Sequence, residues 1–282
     1  MTAPPPDPRR TPWRPDLAAA HLRGAVDSAR FVDGVPHRVA VGTVTLRGTP
    51  DETARQTSEL LYGEGFTVYD RHAGWVWGQG ARDGYVGWTR AEALRPGAPA
   101  AATHVVTALR SFLYPLPDLK APVRDALPLG ARVTVVEESG AYRRLADGGW
   151  VFARHLAPAD SVDADPVTVA ERLLDVPYLW GGRTPLGIDC SGLVQLALHR
   201  TGVDCPRDSD MQRAEVGAWL SPDGEGVVYR RGDIVFFPGH VGFMLDGSRL
   251  LHATAHTMTV TVEPLAAVAD RAGGIIGVRR LG

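Results

Sequence analysis

Cysteine is scarce in this chain of 282 residues, which holds only Cys190 and Cys205. Two cysteines are too few for a disulfide framework. We therefore expect both thiols to be free, with Cys205 in a structural role. The cysteines form no CxxC pair of the kind found in zinc sites, and the sequence predicts no metal and no cofactor.

Long apolar runs are missing as well. The start of the chain, MTAPPPDPRRTPWRPD, lacks the apolar stretch of about 7 to 15 residues that a signal peptide requires, and no later run approaches the ~20 residues of a membrane span. A net charge of −2 gives no reason to expect binding to nucleic acid or to an anionic membrane. We predict neither of these partners and expect a small ligand instead. With Met1 taken as the start of the chain, we also expect the protein to be cytoplasmic.

The order of local patterns predicts several domains. A Pro-rich arm with a short helix at 16–29 occupies residues 1–30. Short strand patterns without helices then predict two small β-barrels, at 31–100 and 104–158, with compositional linkers at 95–103 and 157–166. The strands expected there are 38–46, 66–70, 74–79, 84–89, 132–137, 142–145 and 150–153.

Residues 163–282 have a different character, with helical patterns followed by strands. An amphipathic helix is expected at 168–175 and a second helix from Cys190 towards Gly202. The expected strands are 233–237, 240–245, 250–253, 259–262 and 275–279. This arrangement predicts an α+β domain with an antiparallel sheet.

The two barrels share a short spacing. Gly87-Trp88 is followed by Leu94 as Gly149-Trp150 is followed by Leu156, which suggests an internal duplication.

The most informative stretch is 178–198, YLWGGRTPLGIDCSGLVQLAL. Its glycines and proline form a loop, and the apolar run that follows places Cys190 in the first turn of a helix, on the face that packs inward. The free N–H groups and dipole of a helix N-terminus favour a thiolate, so we expect a pKa for Cys190 below the ordinary value of about 8.5. A small buried side chain is the structural alternative.

A cysteine nucleophile needs a base and a third group that orients the base. His240 opens the strand HVGFML, and His252 lies in the next strand, LLHAT. A two-residue turn at Asp246-Gly247 would put the histidines on opposite faces, whereas a three-residue connection through Ser248 pairs His252 with Gly242 and puts both rings on one face. We predict the second geometry, because only it makes a Cys–His–His relay. Metal binding by these three side chains is the remaining alternative.

These motifs support a family resemblance. GIDCSGLVQ, then PGHVGFML and LLHAT, with YLWGG ahead of the cysteine, resemble the NlpC-type cell-wall peptidases, a papain-like cysteine peptidase group, over roughly residues 165–282. Both barrels resemble bacterial Src-homology-3-like (SH3-like) domains. With LLYGE and DGYVGW in the first barrel, the whole chain is similar to the cytoplasmic γ-D-glutamyl-L-diamino-acid endopeptidases (dipeptidyl-peptidase VI type) that recycle cell-wall peptides.

The resemblance implies an acyl-transfer mechanism. Cys190 would be the nucleophile, His240 its base and His252 the group that orients the base, with the backbone N–H of Cys190 as oxyanion donor. The implied substrates are free murein tri- or tetrapeptides with an N-terminal L-Ala, from which L-Ala-γ-D-Glu would be released.

The resemblance also implies substrate-binding residues: Tyr178, Asp189, Ser191, Asp208 and Ser209 in the C-terminal domain, and Tyr85 and Glu64 in the first barrel. Carboxylates suit the free amino terminus of such a peptide. The structural alternatives are packed rings for the tyrosines, a loop or helix cap for Asp208-Ser209 and a solvated acid for Glu64. The second barrel has Asp147 where the first has its tyrosine, and we expect this barrel to be structural.

Two other functions remain open from the sequence. One is a wall-fragment binding module whose catalytic domain is inactive, against which the intact Cys190, His240 and His252 argue. The other is a thiol acyltransferase or amidase on the same scaffold. A hydrophobic acyl group would need an apolar groove, whereas Asp189 and Asp208 predict a polar pocket.

Overall fold

A computed structural model describes residues 6–282, so the first five residues of the predicted arm lie outside the described part. The chain forms two compact units, Met1–Ser161 and Val162–Gly282. No helix within residues 6–282 has the length and apolar character needed to cross a membrane.

The predicted helix at 16–29 is wrong. The segment forms a short strand β1 (Ala18–Ala19) and a 3-10 helix (Ala20–Leu22), and β1 pairs in parallel with β2 (Phe31–Val32). The N–H of Ala18 donates to the carbonyl of Arg30, and the N–H of Ala19 donates to the carbonyl of Pro12. These distant partners take the donors that a helical ladder would need, and tertiary pairing overrides the helix propensity of three alanines.

The arm lies against aromatic side chains of the first barrel. The guanidinium of Arg14 lies 4.4 Å from the ring centroid of Trp77 and bonds to Asp70 at 2.5 Å. Leu17 is fully buried in the same apolar cluster. The backbone carbonyl of Arg9 accepts the N–H of Val86 at 2.8 Å. Cation–π contacts, ion pairing and burial thus hold the arm on the strands that carry these tryptophans.

The first barrel is a seven-stranded antiparallel sheet in the order β5-β4-β8-β7-β6-β3-β9. Its strands are β3 (Val35–Val39), β4 (Thr43–Arg47), β5 (Gln56–Leu61), β6 (Gly65–His72), β7 (Trp75–Gly80), β8 (Val86–Arg90) and β9 (Leu94–Pro96), with a 3-10 helix at Ala91–Ala93. The strands expected at 66–70, 74–79 and 84–89 are confirmed as β6, β7 and β8. The single strand expected at 38–46 is wrong: the N–H of Gly42 bonds to the carboxylate of Asp125 at 2.7 Å, which interrupts it.

The rest of the N-terminal unit consists of three small antiparallel sheets, in the orders β13-β10-β17, β11-β12 and β14-β15-β16. The strands are β10 (His104–Val106), β11 (Arg110–Leu113), β12 (Asp125–Pro128), β13 (Arg132–Val133), β14 (Val135–Ser139), β15 (Tyr142–Leu145), β16 (Trp150–Phe152) and β17 (Leu156–Pro158), with a 3-10 helix at Ala153–His155. In both halves a Trp-bearing strand leads through a 3-10 helix to a strand that begins at leucine. The first two residues of the linker expected at 157–166 belong to β17. The barrel limits of 31–100 and 104–158 stay a prediction.

The C-terminal unit has helices packed on a six-stranded antiparallel sheet in the order β20-β25-β21-β22-β23-β24, so the predicted α+β class is confirmed. Its elements are α1 (Pro166–Glu171), β18 (Arg183–Thr184), β19 (Gly187–Ile188), α2 (Cys190–Arg200), α3 (Ser209–Glu215), β20 (Ala218–Ser221), β21 (Ile234–Phe237), β22 (His240–Met244), β23 (Arg249–Thr254), β24 (Thr259–Pro264), α4 (Leu265–Ala272) and β25 (Gly277–Arg280).

The first helix of this unit, α1, differs from the helix predicted at 168–175. α1 begins earlier because the carboxylate of Asp165 caps it, accepting the N–H groups of Val167 and Thr168. It ends before Asp175, whose φ of 65° is left-handed and whose N–H donates to the carbonyl of Val260. The predicted strands are confirmed to within one or two residues at most ends, but β18, β19, β20, α3 and α4 were missed. α2, as expected, starts at Cys190 and packs on β22 and β23.

Candidate active site

Cys190 is the first residue of α2, and Asp189 is its N-cap. Oδ1 of Asp189 accepts the N–H of Gly192 at 2.7 Å, which fixes where the helix begins. The loop of Gly182 passes very close: a Cβ on Gly192 would lie 2.2 Å from the carbonyl oxygen of Gly182. A glycine is therefore required for the helix mouth to sit against this loop.

The thiol of Cys190 is buried, and burial raises its pKa to about 12. The carboxylate of Asp189 adds to this rise, whereas the N–H groups of Val241 and Ser191 and the Arg207 guanidinium oppose it. The expected low pKa is therefore wrong, because loss of water at the helix mouth outweighs the stabilisation of a thiolate there. Cys190 rests as a thiol and needs a base to become a nucleophile.

The histidines share one face of the sheet, as predicted. β22 and β23 pair Phe243 with Leu251, and the N–H of Leu245 donates to the carbonyl of Arg249, so the connection has three residues. Nε2 of His240 lies 2.7 Å from Nδ1 of His252. This distance is that of a hydrogen bond.

Gly242 makes this approach of the two strands possible. It stands opposite His252, and a Cβ added there would lie 2.9 Å from the Cβ of His252 and 3.0 Å from Cγ of Leu250. Any larger residue would push β22 and β23 apart. The glycine that follows His240 by two positions therefore has a steric role in holding the histidines together.

A carboxylate continues the relay, and sequence reasoning missed it. Nε2 of His252 lies 3.0 Å from Oε2 of Glu263, on β24. Arg271, on α4, donates to both oxygens of Glu263, at 3.1 and 2.8 Å. The alternation in TVTVEP puts Glu263 on the same face as Thr261, which pairs with His252. This alternation could point to Glu263 only once β24 was known to pair with the strand of His252.

Burial controls the charge of both histidines. It lowers the pKa of His240 to about 4, helped by the neighbouring His252 and Arg271 and opposed by Glu263. Burial also lowers the pKa of His252, although the hydrogen bond and the charge of Glu263 act against this. Burial would raise the pKa of Glu263, but the hydrogen bonds from Arg271 and His252 outweigh it and lower the pKa. At neutral pH the relay holds two neutral imidazoles and one carboxylate.

A second missed residue, Arg207, lies below the helix mouth and is 1% exposed. Its guanidinium bonds to both oxygens of Asp189, at 3.0 and 2.7 Å, and to the hydroxyl of Ser191 at 2.7 Å. Asp189 also accepts the N–H of Gly181 at 2.7 Å. Asp189 and Ser191 are thus partners of a buried cation, and their predicted contact with substrate stays a prediction. The sequence contains many other arginines, and no pattern in it marks Arg207 as a buried one.

Tyr178, Asp208 and Ser209 lie in the same unit as the relay and are partly exposed. Burial raises the pKa of Tyr178, as do the charge of Asp189 and that of Cys190 once it is a thiolate, so the Tyr178 hydroxyl keeps its proton and lies near the thiol. Asp208 is the N-cap residue of α3, yet its side chain makes no capping bond. The helix-cap alternative is therefore correct for the position of Asp208 but not for its carboxylate.

The two residues implied in the first barrel are buried within the N-terminal unit. Tyr85 is 6% exposed and belongs to that barrel's apolar core. Glu64 is 7% exposed and accepts the N–H of Leu61 at 3.0 Å, so it is not a solvated acid. Their contact with substrate stays a prediction. Asp147 instead bonds to Arg38, at 2.7 Å, and to the hydroxyl of Tyr62, which gives it a structural partner set.

Both cysteines are free and buried. Within residues 6–282 no cluster of three or more histidine, cysteine, aspartate or glutamate side chains has a metal-binding arrangement. His252 and His256 have the HxxxH spacing, but they lie on a strand and the following turn, and His256 is exposed.

Comparison with known proteins identifies two domains. The profile of the NlpC/P60 family matches residues 175–270, and that of the bacterial dipeptidyl-peptidase Sh3 domain matches residues 46–94. A γ-D-glutamyl-L-lysine dipeptidyl-peptidase of Bacillus cereus is 26% identical over 89% of this chain and 85% of its own length. Dipeptidyl-peptidase 6 of Lysinibacillus sphaericus is 35% identical over 40% of this chain and 41% of its own length.

A solved structure extends the likeness to the fold. The crystal structure of an NlpC/P60 family protein from Bacillus cereus superposes with a TM-score of 0.74 at 19% identity, covering 87% of this chain and 99% of that one. The predicted fold is a papain-like domain preceded by two SH3-like barrels; the papain-like domain and an SH3-like domain ahead of it are confirmed.

Proposed function

We propose that this chain, whose C-terminal unit is an NlpC/P60 domain, is a cysteine endopeptidase that cleaves the γ-D-glutamyl-L-diamino-acid bond of free murein peptides. The observation that carries the proposal is the relay: a thiol at the mouth of α2, next to β22, and a base on that strand bonded to a second histidine at 2.7 Å. The name of the Bacillus cereus relative, a γ-D-glutamyl-L-lysine dipeptidyl-peptidase, supports the class of bond.

The proposed reaction begins with proton transfer. His240 takes the proton of Cys190 as the sulfur attacks the γ-carbonyl carbon, and the neutral imidazole is the form able to accept it. The oxyanion receives hydrogen bonds from the backbone N–H of Cys190 and the protonated hydroxyl of Tyr178. The C–N bond then breaks, His240 returns the proton to the leaving amine, and water attacks the thioester to release the acyl dipeptide.

The amino terminus of the peptide sets which bond is cut. We propose that Asp208 supplies the direct charge contact to the ammonium of L-Ala and that Ser209 donates or accepts beside it. Asp189 and Ser191 shape the same pocket through their bonds to Arg207.

The test is a mass-spectrometric digest of L-Ala-γ-D-Glu-L-Lys and its diaminopimelate analogue by freshly reduced wild type and by Cys190→Ala. Release of L-Ala-γ-D-Glu by the wild type alone supports the proposal and gives the preference on the leaving side. Absence of cleavage of both peptides contradicts it and favours a binding module or an acyltransferase.

A matched substrate tests the recognition of the amine. Acetylation of the N-terminal alanine removes its positive charge without changing the scissile bond, so kcat/KM should fall by about tenfold or more. An unchanged kcat/KM would show that the pocket does not measure the amino terminus.

The proposal includes a role in recycling within the cytoplasm. Deletion of the gene should then raise the intracellular level of free murein tripeptides, measured by mass spectrometry of a cell extract. Restoration by wild type, but not by Cys190→Ala, would tie this level to the thiol. An unchanged level would leave the peptidase activity in place and remove the recycling role.

A further inference from the structure

We infer that Glu263, held by Arg271, is a positioning residue that sets which ring nitrogens of His240 and His252 carry protons, and so keeps His240 ready to accept the proton of Cys190. The inference extends the Cys–His–His relay by two residues. Its kinetic test rests on the proposed function, and its spectroscopic test does not.

The geometry gives Glu263 fixed partners on two sides. Its Oε2 lies 3.0 Å from Nε2 of His252 and 2.8 Å from the guanidinium of Arg271, which also donates to Oε1. The carboxylate is 18% exposed and the Arg271 side chain 33%, while His252 is fully buried. A carboxylate held by two donors from one guanidinium has a defined orientation, and here it points an acceptor at the buried ring.

The protons of both histidines follow from this acceptor. A carboxylate only accepts, so Nε2 of the neutral His252 must carry the proton of that bond. Nδ1 of His252 is then without a proton and accepts from Nε2–H of His240, across the distance of 2.7 Å. Nδ1 of His240 is left with its lone pair, which is the form needed for a base.

The opposite tautomers would disable the relay. If His252 carried its proton on Nδ1, Nε2 of His240 would become the acceptor and Nδ1–H of His240 would face outward from the pair. The base would then present a proton instead of a lone pair. The Glu263 charge removes this alternative, and it also stabilises the imidazolium that forms at His240 during the attack.

The spectroscopic test uses the full chain labelled with 15N at histidine. In wild type at neutral pH, both relay histidines should show Nε2–H and a bare Nδ1, with peaks assigned from spectra of His240→Gln and His252→Gln. Glu263→Gln should mix the tautomers, because its amide can donate as well as accept. Unchanged tautomers in Glu263→Gln would overturn the inference, whether or not the protein cleaves a peptide.

The kinetic test compares Glu263→Gln with a surface control. We expect kcat to fall by about ten- to hundredfold with little change in KM, the range for a partner that orients a functional histidine. Glu263→Asp keeps the charge and should recover part of the loss. The surface control is Glu171→Gln, which removes the carboxylate of another Glu–Arg pair, with Arg231 at 2.6 Å. Glu171 is far along the sequence from the relay, so this variant should keep wild-type rates.

The pH profile separates positioning from general loosening. The titratable and charged groups that act on His240 are His252 from β23, Glu263 from β24 and Arg271 from α4. Of these, the Glu263 carboxylate favours the charged imidazole, so Glu263→Gln should move the acid limb of kcat/KM to lower pH. A site opened to water would regain the ordinary histidine value, and its acid limb would move to higher pH.

The outcomes separate the two claims. A wild type that cleaves neither peptide contradicts the proposed function, and the tautomers still decide the role of Glu263. A wild type that cleaves, with Glu263→Gln at full kcat, overturns the inference and leaves the function standing. If Glu263→Gln does not fold, Arg271→Met provides the second variant: it frees the carboxylate from its guanidinium, and tautomers and kcat that stay at wild-type values would again overturn the inference.

Discussion

Breaking the buried ion pair under the nucleophile should strongly destabilise the C-terminal unit. Arg207 and Asp189 are 1% and 6% exposed and share two hydrogen bonds. In Arg207→Met, Asp189 keeps the N–H groups of Gly181 and Gly192 and the hydroxyl of Ser191, but its charge is no longer paired. Breaking a buried pair by removing one partner costs about 3 to 5 kcal/mol, because the other charge stays buried.

Asp189→Asn removes the other charge and should cost at least as much. It removes the carboxylate that pairs with the Arg207 guanidinium, which keeps the hydroxyl of Ser191 and the carbonyl of Gly182 among its acceptors. The double variant Asp189→Asn with Arg207→Met has no unpaired charge, so its cost should be smaller than the sum of the two single costs. Such non-additivity is the signature of a direct interaction.

The assay is hydrogen exchange of the α2 amides, residues 190–200, in the full chain at increasing urea. Arg249→Met is the control, because it removes a guanidinium from an exposed pair with Asp246 and should cost only about 0 to 1 kcal/mol. The reasoning is refuted if Arg207→Met lowers the free energy of exchange by no more than Arg249→Met, or if the two single costs simply add.

Four further predictions concern the relay and the arm. Gly242→Ala places a Cβ 2.9 Å from that of His252, so urea unfolding should show a loss of about 1 to 3 kcal/mol, and turnover should fall as the strands separate. Because burial holds the pKa of His240 at about 4 when folded against 6.5 when unfolded, the stability of the C-terminal unit should decline as pH falls from 6.5 towards 4, measured by urea unfolding; a flat profile would refute this. At about pH 7.5, wild type should show no more thiolate absorbance than Cys190→Ala, because Cys190 rests as a thiol. A cysteine with a strongly lowered pKa would be a thiolate at this pH, so extra absorbance in wild type would contradict the prediction. Arg14→Ala removes stacking on two tryptophans and an ion pair, and tryptic cleavage of the arm should accelerate about tenfold, whereas an unchanged rate would show that the arm is held elsewhere.

Local pattern was sufficient for much of the catalytic unit. The loop, the helix starting at Cys190 and the strands of His240 and His252 all follow from short-range signals, namely glycine and proline placement, apolar periodicity and alternation. The three-residue connection was also predictable, because the two alternatives differ in which face each histidine occupies, and only one brings the rings together. The α+β class and the SH3-like domain followed from the same patterns together with the family resemblance.

The failures share a different cause. The helix expected at 16–29 was lost because Ala18 and Ala19 donate to carbonyls of Arg30 and Pro12, partners that no local window contains. The strand expected at 38–46 was broken by a bond to Asp125, which is distant in sequence. Propensity describes what a segment does alone, and here partners far along the chain supplied the deciding hydrogen bonds.

The sequence by itself determined the candidate residues for the chemistry: a cysteine at a helix start and two histidines on neighbouring strands. Only the tertiary structure decided how these groups are charged and held. Burial reversed the expected shift in the pKa of Cys190, and Arg207, Glu263 and Arg271 became functional neighbours through folding of distant segments. Solvent exclusion and long-range hydrogen bonds are properties of the packed chain, so no local pattern contains them.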